Sequence, residues 1–257
     1  EAHRTPRDLS DYRLPPAIRA TAEYAAACDG AEAVVIVTPS AALRSVAADL
    51  RELVAPATPI VICSKGVEEK TGLLPIDTFA AELGGAGRMA VLSGPTHAEE
   101  VICRKPSAAV VASADEGTAL FFRDLFATRF FRTYTSDDPV GVELCAAFKN
   151  VIAIAVGISY GMGFGDNTAA MLITRGLAEM SRMVVAAGGE ALTCMGLGGA
   201  GDMVVTCMSQ HSRNRRFGEQ YVARGLTLDD FTAQTHMVVE GAIACKTLAT
   251  LEARSGV

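Results

Sequence analysis

The sequence predicts a parallel α/β sheet domain followed by an all-helical domain. Three observations carry this. Short β-branched runs alternate with helix-patterned segments through the first half. The runs are continuously apolar rather than alternating, as expected for strands covered on both faces by helices. From about Ser136 the strand pattern stops and long helical patterns take over. With 257 residues, half of them hydrophobic, the chain is long enough for two domains. The expected boundaries are residues 1–136 and 137–257.

The strands expected in order are Ala33–Val37, Pro59–Cys63, Met89–Leu92, Ala108–Ala112 and Phe130–Tyr134. Between the first two, Ser40 to Leu53 carries apolar residues at helical spacing, with Ser40 in the N-cap position. Gly141 to Gly157 is an apolar run of helical length. A further helix is expected from a cap at Asp166 or Asn167 to a stop at Gly188-Gly189. Another opens at Ser212 and ends near Gly225, and a last one follows Gly241.

Composition narrows the function classes. The net charge is −6 and the isoelectric point about 5.3, with no block of like charges. Neither a nucleic-acid surface nor a polybasic membrane patch is indicated, which leaves a small ligand as the expected partner. The seven cysteines are scattered and form no Cys-x-x-Cys pair, a pattern of reduced thiols in the cytoplasm with no zinc site. The longest apolar run, Val151 to Phe164, is glycine-punctuated and short for a membrane span. The chain opens on Glu1 with a polar segment through Asp11, which reads as a start downstream of the protein's own. A homodimer is compatible with all of this.

Within the Gly141–Gly157 helix stand a single lysine, Lys149, and its neighbour Asn150. Lys149 shares a helix face with Ile152, Ala153 and Val156, so its ammonium is expected to be buried. Burial lowers a lysine pKa and makes it a proton donor or acceptor near neutral pH. A structural lysine that reaches the surface or pairs with an acid fits the same pattern. Ligands of open parallel sheets bind beyond the carboxyl ends of the strands. There the sequence places Thr38-Pro39-Ser40, Ser64-Lys65-Gly66 and Ser93-Gly94-Pro95-Thr96-His97. The string Gly196 to Gly201 has the spacing of a dinucleotide-binding turn, but a helix and a short connector precede it instead of a strand, so it is expected to be a helix connection. The acid after it, Asp202, is a partner for a buried lysine. Ser212-Arg213-Asn214 at a helix start combines free backbone N–H groups, the positive dipole end and a guanidinium, as an anion site requires; a solvated basic turn is the plainer alternative.

These strings, with Glu99-Glu100, Gly165-Asp-Asn-Thr, Thr174-Arg-Gly-Leu-Ala-Glu-Met, Gly218 and Val238-Val-Glu240-Gly241, occur in one order along most of the chain, and the ordered set resembles the bacterial NAD(P)-dependent glycerol-3-phosphate dehydrogenases. The resemblance implies a Rossmann-type sheet domain, a helical substrate domain, and reversible reduction of dihydroxyacetone phosphate to sn-glycerol 3-phosphate with NADH or NADPH, a step toward phospholipid precursors. It implies that Lys149 is the proton donor and that Lys65 and Asp202 are its partners around the substrate oxygens. It assigns substrate binding to Lys65, Gly94, Thr96, Lys149, Asp202, Ser212, Arg213 and Asn214, and cofactor contacts to Lys65, Ala98, Arg213, Val238 and Glu240. His97 and His211 flank this site as loop residues.

The chain departs from the family at its start: no strand with a Gly-x-Gly-x-x-Gly turn precedes Ala33, and Arg4 to Ala20 resembles the segment after the family's second strand. The first βα unit is thus expected to be missing, leaving an exposed sheet edge, and the C-terminus is expected to stop early, within the helix after Gly241. Two other functions fit parts of the pattern. One is a lysine-dependent dehydrogenase of hydroxy acids such as 6-phosphogluconate or 3-hydroxyisobutyrate. The other is a non-catalytic polyol phosphate binding fragment.

Overall fold

The computed structural model describes residues 12–255, with side chains through residue 248. The polar opening to Asp11, the first part of the Arg4–Ala20 segment and the last two residues lie outside the described residues. After a short helix α1 (Tyr24–Cys28), the sheet strands are β1 (Val34–Ile36), β2 (Ile60–Ile62), β3 (Met89–Ser93), β4 (Ser107–Ala112) and β5 (Phe131–Ser136), hydrogen-bonded in that order. All five coincide with expected strands to within a residue or two. Helices α2 (Leu43–Leu50), α3 (Pro75–Leu83), α4 (Ala98–Ile102) and α5 (Glu116–Phe126) connect them.

One expectation of the sheet is corrected. β1, β2 and β3 are parallel, and so are β4 and β5, but β3 and β4 are antiparallel, with Leu92 opposite Val111. The reason is local. The β3–β4 link holds only the five-residue α4, too little for a crossover that returns the chain to the far end of the sheet. Gly94 makes the turn possible at φ +153°, and a Cβ there would lie 2.9 Å from the Ala108 carbonyl oxygen and the Ala109 Cα.

The sheet is packed on both faces. Ile60, Ile62, Met89 and Val91 point to α2 and α3, meeting Leu43, Val46, Leu50 and Phe79. The alternate residues Val61, Ala90 and Val111 pack on Phe122 of α5. β1 is the edge strand of this sheet, and its Val35 is exposed. Ser40 does not cap a helix as expected. It opens a 3₁₀ turn (Ser40–Ala42) that runs into α2, and its side chain makes no cap bond.

The helical half comprises α6 (Pro139–Gly161), α7 (Asp166–Ala186), α8 (Asp202–Met208), α9 (Arg213–Arg224), α10 (Leu228–Thr235) and α11 (Glu240–Ser255). α6 is its axis. Asp138 caps it, accepting from the Gly141 N–H at 2.8 Å. It is longer than the sequence reading allowed, and over 23 residues it is apolar and long enough to cross a membrane. Here 67% of its most apolar window is buried inside the protein, against α7, α8, α9 and α11. The α7 cap is also corrected: Gly165 occupies that position without a side-chain bond, and Asp166 lies in the first turn, favourably placed for the helix dipole.

α6 and α9 cross at almost bare backbone. A Cβ on Gly157 would lie 2.1 Å from the Arg215 carbonyl oxygen, and one on Gly218 2.3 Å from that of Ile154. Because backbone atoms of two packed helices cannot step aside, Gly157→Ala and Gly218→Ala are each expected to cost at least the ~1–3 kcal/mol typical of overpacking. Denaturant unfolding of either variant at wild-type stability would contradict this crossing.

Candidate active site

Three loops leave the carboxyl ends of the parallel strands. Thr38-Pro39-Ser40 follows β1, Ser64-Lys65-Gly66 follows β2, and Gly94 to His97 follows β3. The helical half closes over this edge. Gly196 to Gly201 joins a 3₁₀ turn (Ala191–Met195) to the start of α8, a helix connection as expected. It delivers Asp202, 2% exposed, as the first residue of α8.

Lys149, 5% exposed at mid-α6, donates from Nζ to Asp202 Oδ1 at 2.6 Å and to Thr206 Oγ1 at 2.8 Å. Lys65 Nζ donates to the other carboxylate oxygen, Oδ2, at 2.6 Å. One buried carboxylate therefore bridges two ammonium groups, one from each half of the chain. Charges this deep are tolerable only when paired and hydrogen-bonded. Ser93 Oγ adds a longer bond to Asp202 Oδ2 at 3.4 Å.

Burial, followed by the like charge of Lys65, lowers the Lys149 pKa to about 8, although the Asp202 carboxylate pulls the other way. For Asp202, burial favours the neutral acid, but the Lys65 and Lys149 ammoniums outweigh it and hold the carboxyl below its usual range. The result is an amine that exchanges a proton near neutrality beside a carboxylate that stays charged.

A second cluster forms at the start of α9. Ser212 caps it as expected, accepting from the Arg215 N–H at 3.3 Å. Its first turn contains no acid, only Arg213, Asn214, Arg215 and Arg216. Arg213 is exposed, whereas Asn214 is buried. The Asn214 amide donates to Asn150 Oδ1 at 3.0 Å and accepts from the Gly241 N–H at 2.9 Å, which ties α6, α9 and α11 together. That leaves one Asn214 N–H unassigned for a ligand.

The remaining expected residues are placed by their elements. Thr96 turns its hydroxyl back to the Gly94 carbonyl at 3.2 Å. Exposed Ala98 opens α4, and Val238, 41% exposed, precedes α11. Glu240 opens α11 and approaches Ser40 and Gly66 of the sheet loops. Burial raises its pKa, opposed first by Arg213. Thr206 and the hydrogen-bonding role of Asn150 are not among the sequence expectations. Thr206 stands one helical turn beyond Asp202, a spacing that places both on one face.

Among the described residues, two buried polar atoms on this edge have no hydrogen-bond partner, Thr38 Oγ1 and His97 Nε2. Orphaned groups of this kind call for a polar ligand or water. With the cations Lys65 and Arg213, they suit the carboxamide and phosphate groups of a nicotinamide cofactor.

Comparison with known proteins adds to this geometry. Residues 1–119 match the NAD-dependent glycerol-3-phosphate dehydrogenase N-terminus, and residues 138–257 match the C-terminus of the same family. The chain is 44% identical over 253 residues to a Chlorobium limicola protein named glycerol-3-phosphate dehydrogenase (NAD(P)+), covering 98% of this chain and 76% of that one. It is 45% identical over 256 residues to a Streptomyces griseus protein of the same name, covering 99% and 76%. The crystal structure of glycerol-3-phosphate dehydrogenase from Coxiella burnetii superposes with a TM-score of 0.95 at 36% identity, covering all of this chain and 78% of that one.

Proposed function

The chain belongs to the NAD-dependent glycerol-3-phosphate dehydrogenase family, and from that premise we propose that it interconverts dihydroxyacetone phosphate and sn-glycerol 3-phosphate, with Lys149 as the proton-transfer group. The observation that carries the assignment is the Lys149–Asp202–Lys65 cluster, closed across the two halves of the chain at 2.6 Å on each side. Residues 1–136 then serve the cofactor, and 137–257 the substrate. NAD or NADP, when bound, supplies or accepts the hydride at the substrate's central carbon.

In reduction, the Lys149 ammonium gives its proton to the ketone oxygen, and in oxidation the neutral amine takes the hydroxyl proton. Asp202 orients that amine and remains charged. Lys65 faces the same oxygens and stabilises the alkoxide as it forms. The start of α9 receives the phosphate through Ser212, Arg213 and Asn214, where the helix dipole and a guanidinium favour a dianion. Gly94 and Thr96 close the substrate side, while Lys65, Ala98, Arg213, Val238 and Glu240 border the nicotinamide. The product is the backbone of glycerophospholipids. A cytoplasmic location suits the seven free thiols.

The test follows NADH or NADPH consumption with dihydroxyacetone phosphate, and NADH or NADPH formation from the oxidised cofactor with glycerol 3-phosphate beside hydroxy-acid substrates, as a function of pH. Reduction needs the ammonium, so its rate is expected to fall as pH rises through about 8, and oxidation of glycerol 3-phosphate to rise over the same interval. Preference for 6-phosphogluconate or 3-hydroxyisobutyrate would refute the substrate assignment. A reduction rate flat from pH 6 to 10, on the order of two units either side of that pKa, would refute the role of Lys149.

A further inference from the structure

α3 begins without a cap of its own. Leu74 holds the N-cap position with no side chain able to accept a hydrogen bond, and Pro75 follows at the first helical position. The next residue's N–H is nevertheless satisfied. Ile76 N–H donates to Glu143 Oε1 at 2.9 Å, from a residue 67 positions away on α6. Glu143 is 5% exposed and lies six residues before Lys149 on the same helix. A buried acid is costly, and the chemistry proposed above does not use it.

What Glu143 holds is the far end of the segment that carries Lys65. That segment leaves β2, presents Lys65, and then folds on itself, with Glu68 N–H bonded to the Leu73 carbonyl at 2.9 Å. The Glu68 carboxylate is gripped by Arg44 through two bonds of 2.7 Å. Val67 and Leu74 then leave the sheet domain's packing and enter the helical core beside Leu144, Cys145 and Ala147 of α6. The segment between Lys65 and α3 is thus anchored on α2 at one point and on α6 at another, and the hydrogen bond to Glu143 fixes its exit.

We propose that Glu143 is a positioning residue for the reaction: by capping α3 from α6, it sets where the Lys65 ammonium sits relative to Lys149 across Asp202. The inference rests on the assignment of both lysines to one site. Burial, with Asp77 adding to it, holds the Glu143 carboxyl well above the usual carboxylate range despite the Ile76 N–H. A neutral acid is the form that an amide imitates. Glutamine therefore retains the acceptor. Leucine removes it at similar volume, and aspartate withdraws it by one methylene.

The test reads the position of Lys65 through Lys149. The groups facing Lys149 are Lys65, whose charge lowers its pKa, Asp202, which raises it, and His97, Glu240 and Cys207, which interact with it electrostatically. Retreat of Lys65 removes the second-largest cause of the lowered value. The chain has five lysines, so ¹³Cε-lysine labelling gives a resolvable NMR titration, with Lys149→Met assigning the signal. In Glu143→Leu and Glu143→Asp the Lys149 pKa is expected to rise by roughly 0.5–1 unit, and in Glu143→Gln to stay within about 0.2. Turnover with dihydroxyacetone phosphate is expected to fall about tenfold or more in the first two and to stay within about twofold in the third.

A general structural role would lower the melting temperature without moving the Lys149 titration. The inference is overturned if the Leu and Asp variants, native by circular dichroism, titrate like wild type, or if the Gln variant shifts with them. Should the Leu variant fail to fold, the Asp variant decides alone. The NMR comparison needs no turnover, so it stands or falls separately from the substrate assignment.

Discussion

Replacing Lys149 with alanine is expected to lower kcat for dihydroxyacetone phosphate by about 10²–10⁴-fold, the usual contribution of a positioned acid or base, while KM changes little. The split follows from the geometry. Lys149 is buried and engages Asp202 and Thr206, whereas the phosphate is assigned to the start of α9, whose cap and buried Asn214 do not depend on the lysine. On the proposed assignment affinity and chemistry are carried by different elements, so removing one should spare the other. Lys149→Arg is the informative companion. Arginine keeps a cation beside Asp202 but cannot release a proton near neutrality. It should preserve the fold and still lose turnover, which excludes a role limited to neutralising Asp202. If the alanine variant keeps more than about a tenth of wild-type kcat, the proton passes through another group. His97, half-buried and interacting electrostatically with Lys149, would be the next to replace.

Much of this was legible in the sequence because the informative signals are local. Strands announce themselves by β-branched runs, and the Ser212 cap by its place before a helical pattern. A lone lysine in an apolar helix stands out in the same way, since burial there demands a reason. The misreadings share one cause as well. The direction of β4 depends on how little chain separates it from β3, and on Gly94 passing close to the Ala108 backbone. Ser40 was displaced from a cap by the 3₁₀ turn that it begins. Such outcomes are decided by neighbours that the local pattern does not contain. The same holds at the site. Glu143 meets Ile76 across 67 residues, and Lys65 meets Asp202 across 137. Periodicity reports which face a residue occupies; it cannot report what will be packed against that face.

Asp202→Asn is expected to have the second large effect, on both stability and pH dependence. The asparagine keeps the shape and leaves two ammonium groups facing each other without a carboxylate between them. Breaking a buried ion pair from one side costs about 3–5 kcal/mol, and here one side serves two partners. The chain has a way to reduce that cost, because Lys149 already titrates at about 8 and the lost carboxylate was raising its pKa. In the variant Lys149 should therefore lose its proton at a lower pH than in the wild type. Reduction, which needs the ammonium, should then have its rate profile shifted to lower pH. The stability consequences have opposite signs for the two groups. In the wild type, the lowered Asp202 pKa contributes stability above the ordinary value of 3.8 that is lost as pH falls further. The variant lacks this contribution, so its deficit should be largest near neutrality and shrink in acid. Lys149 works the other way. Its folded pKa lies below the ordinary 10.5, so the unfolded chain binds more protons and stability rises with pH between the two values. Removing Asp202 widens that interval downward. Thermal unfolding of both proteins from pH 4 to 10 (on the order of the span of the two titrations) should show the variant gaining stability from a lower pH than wild type, and parallel curves would mean that the carboxylate does not set the charge state of Lys149.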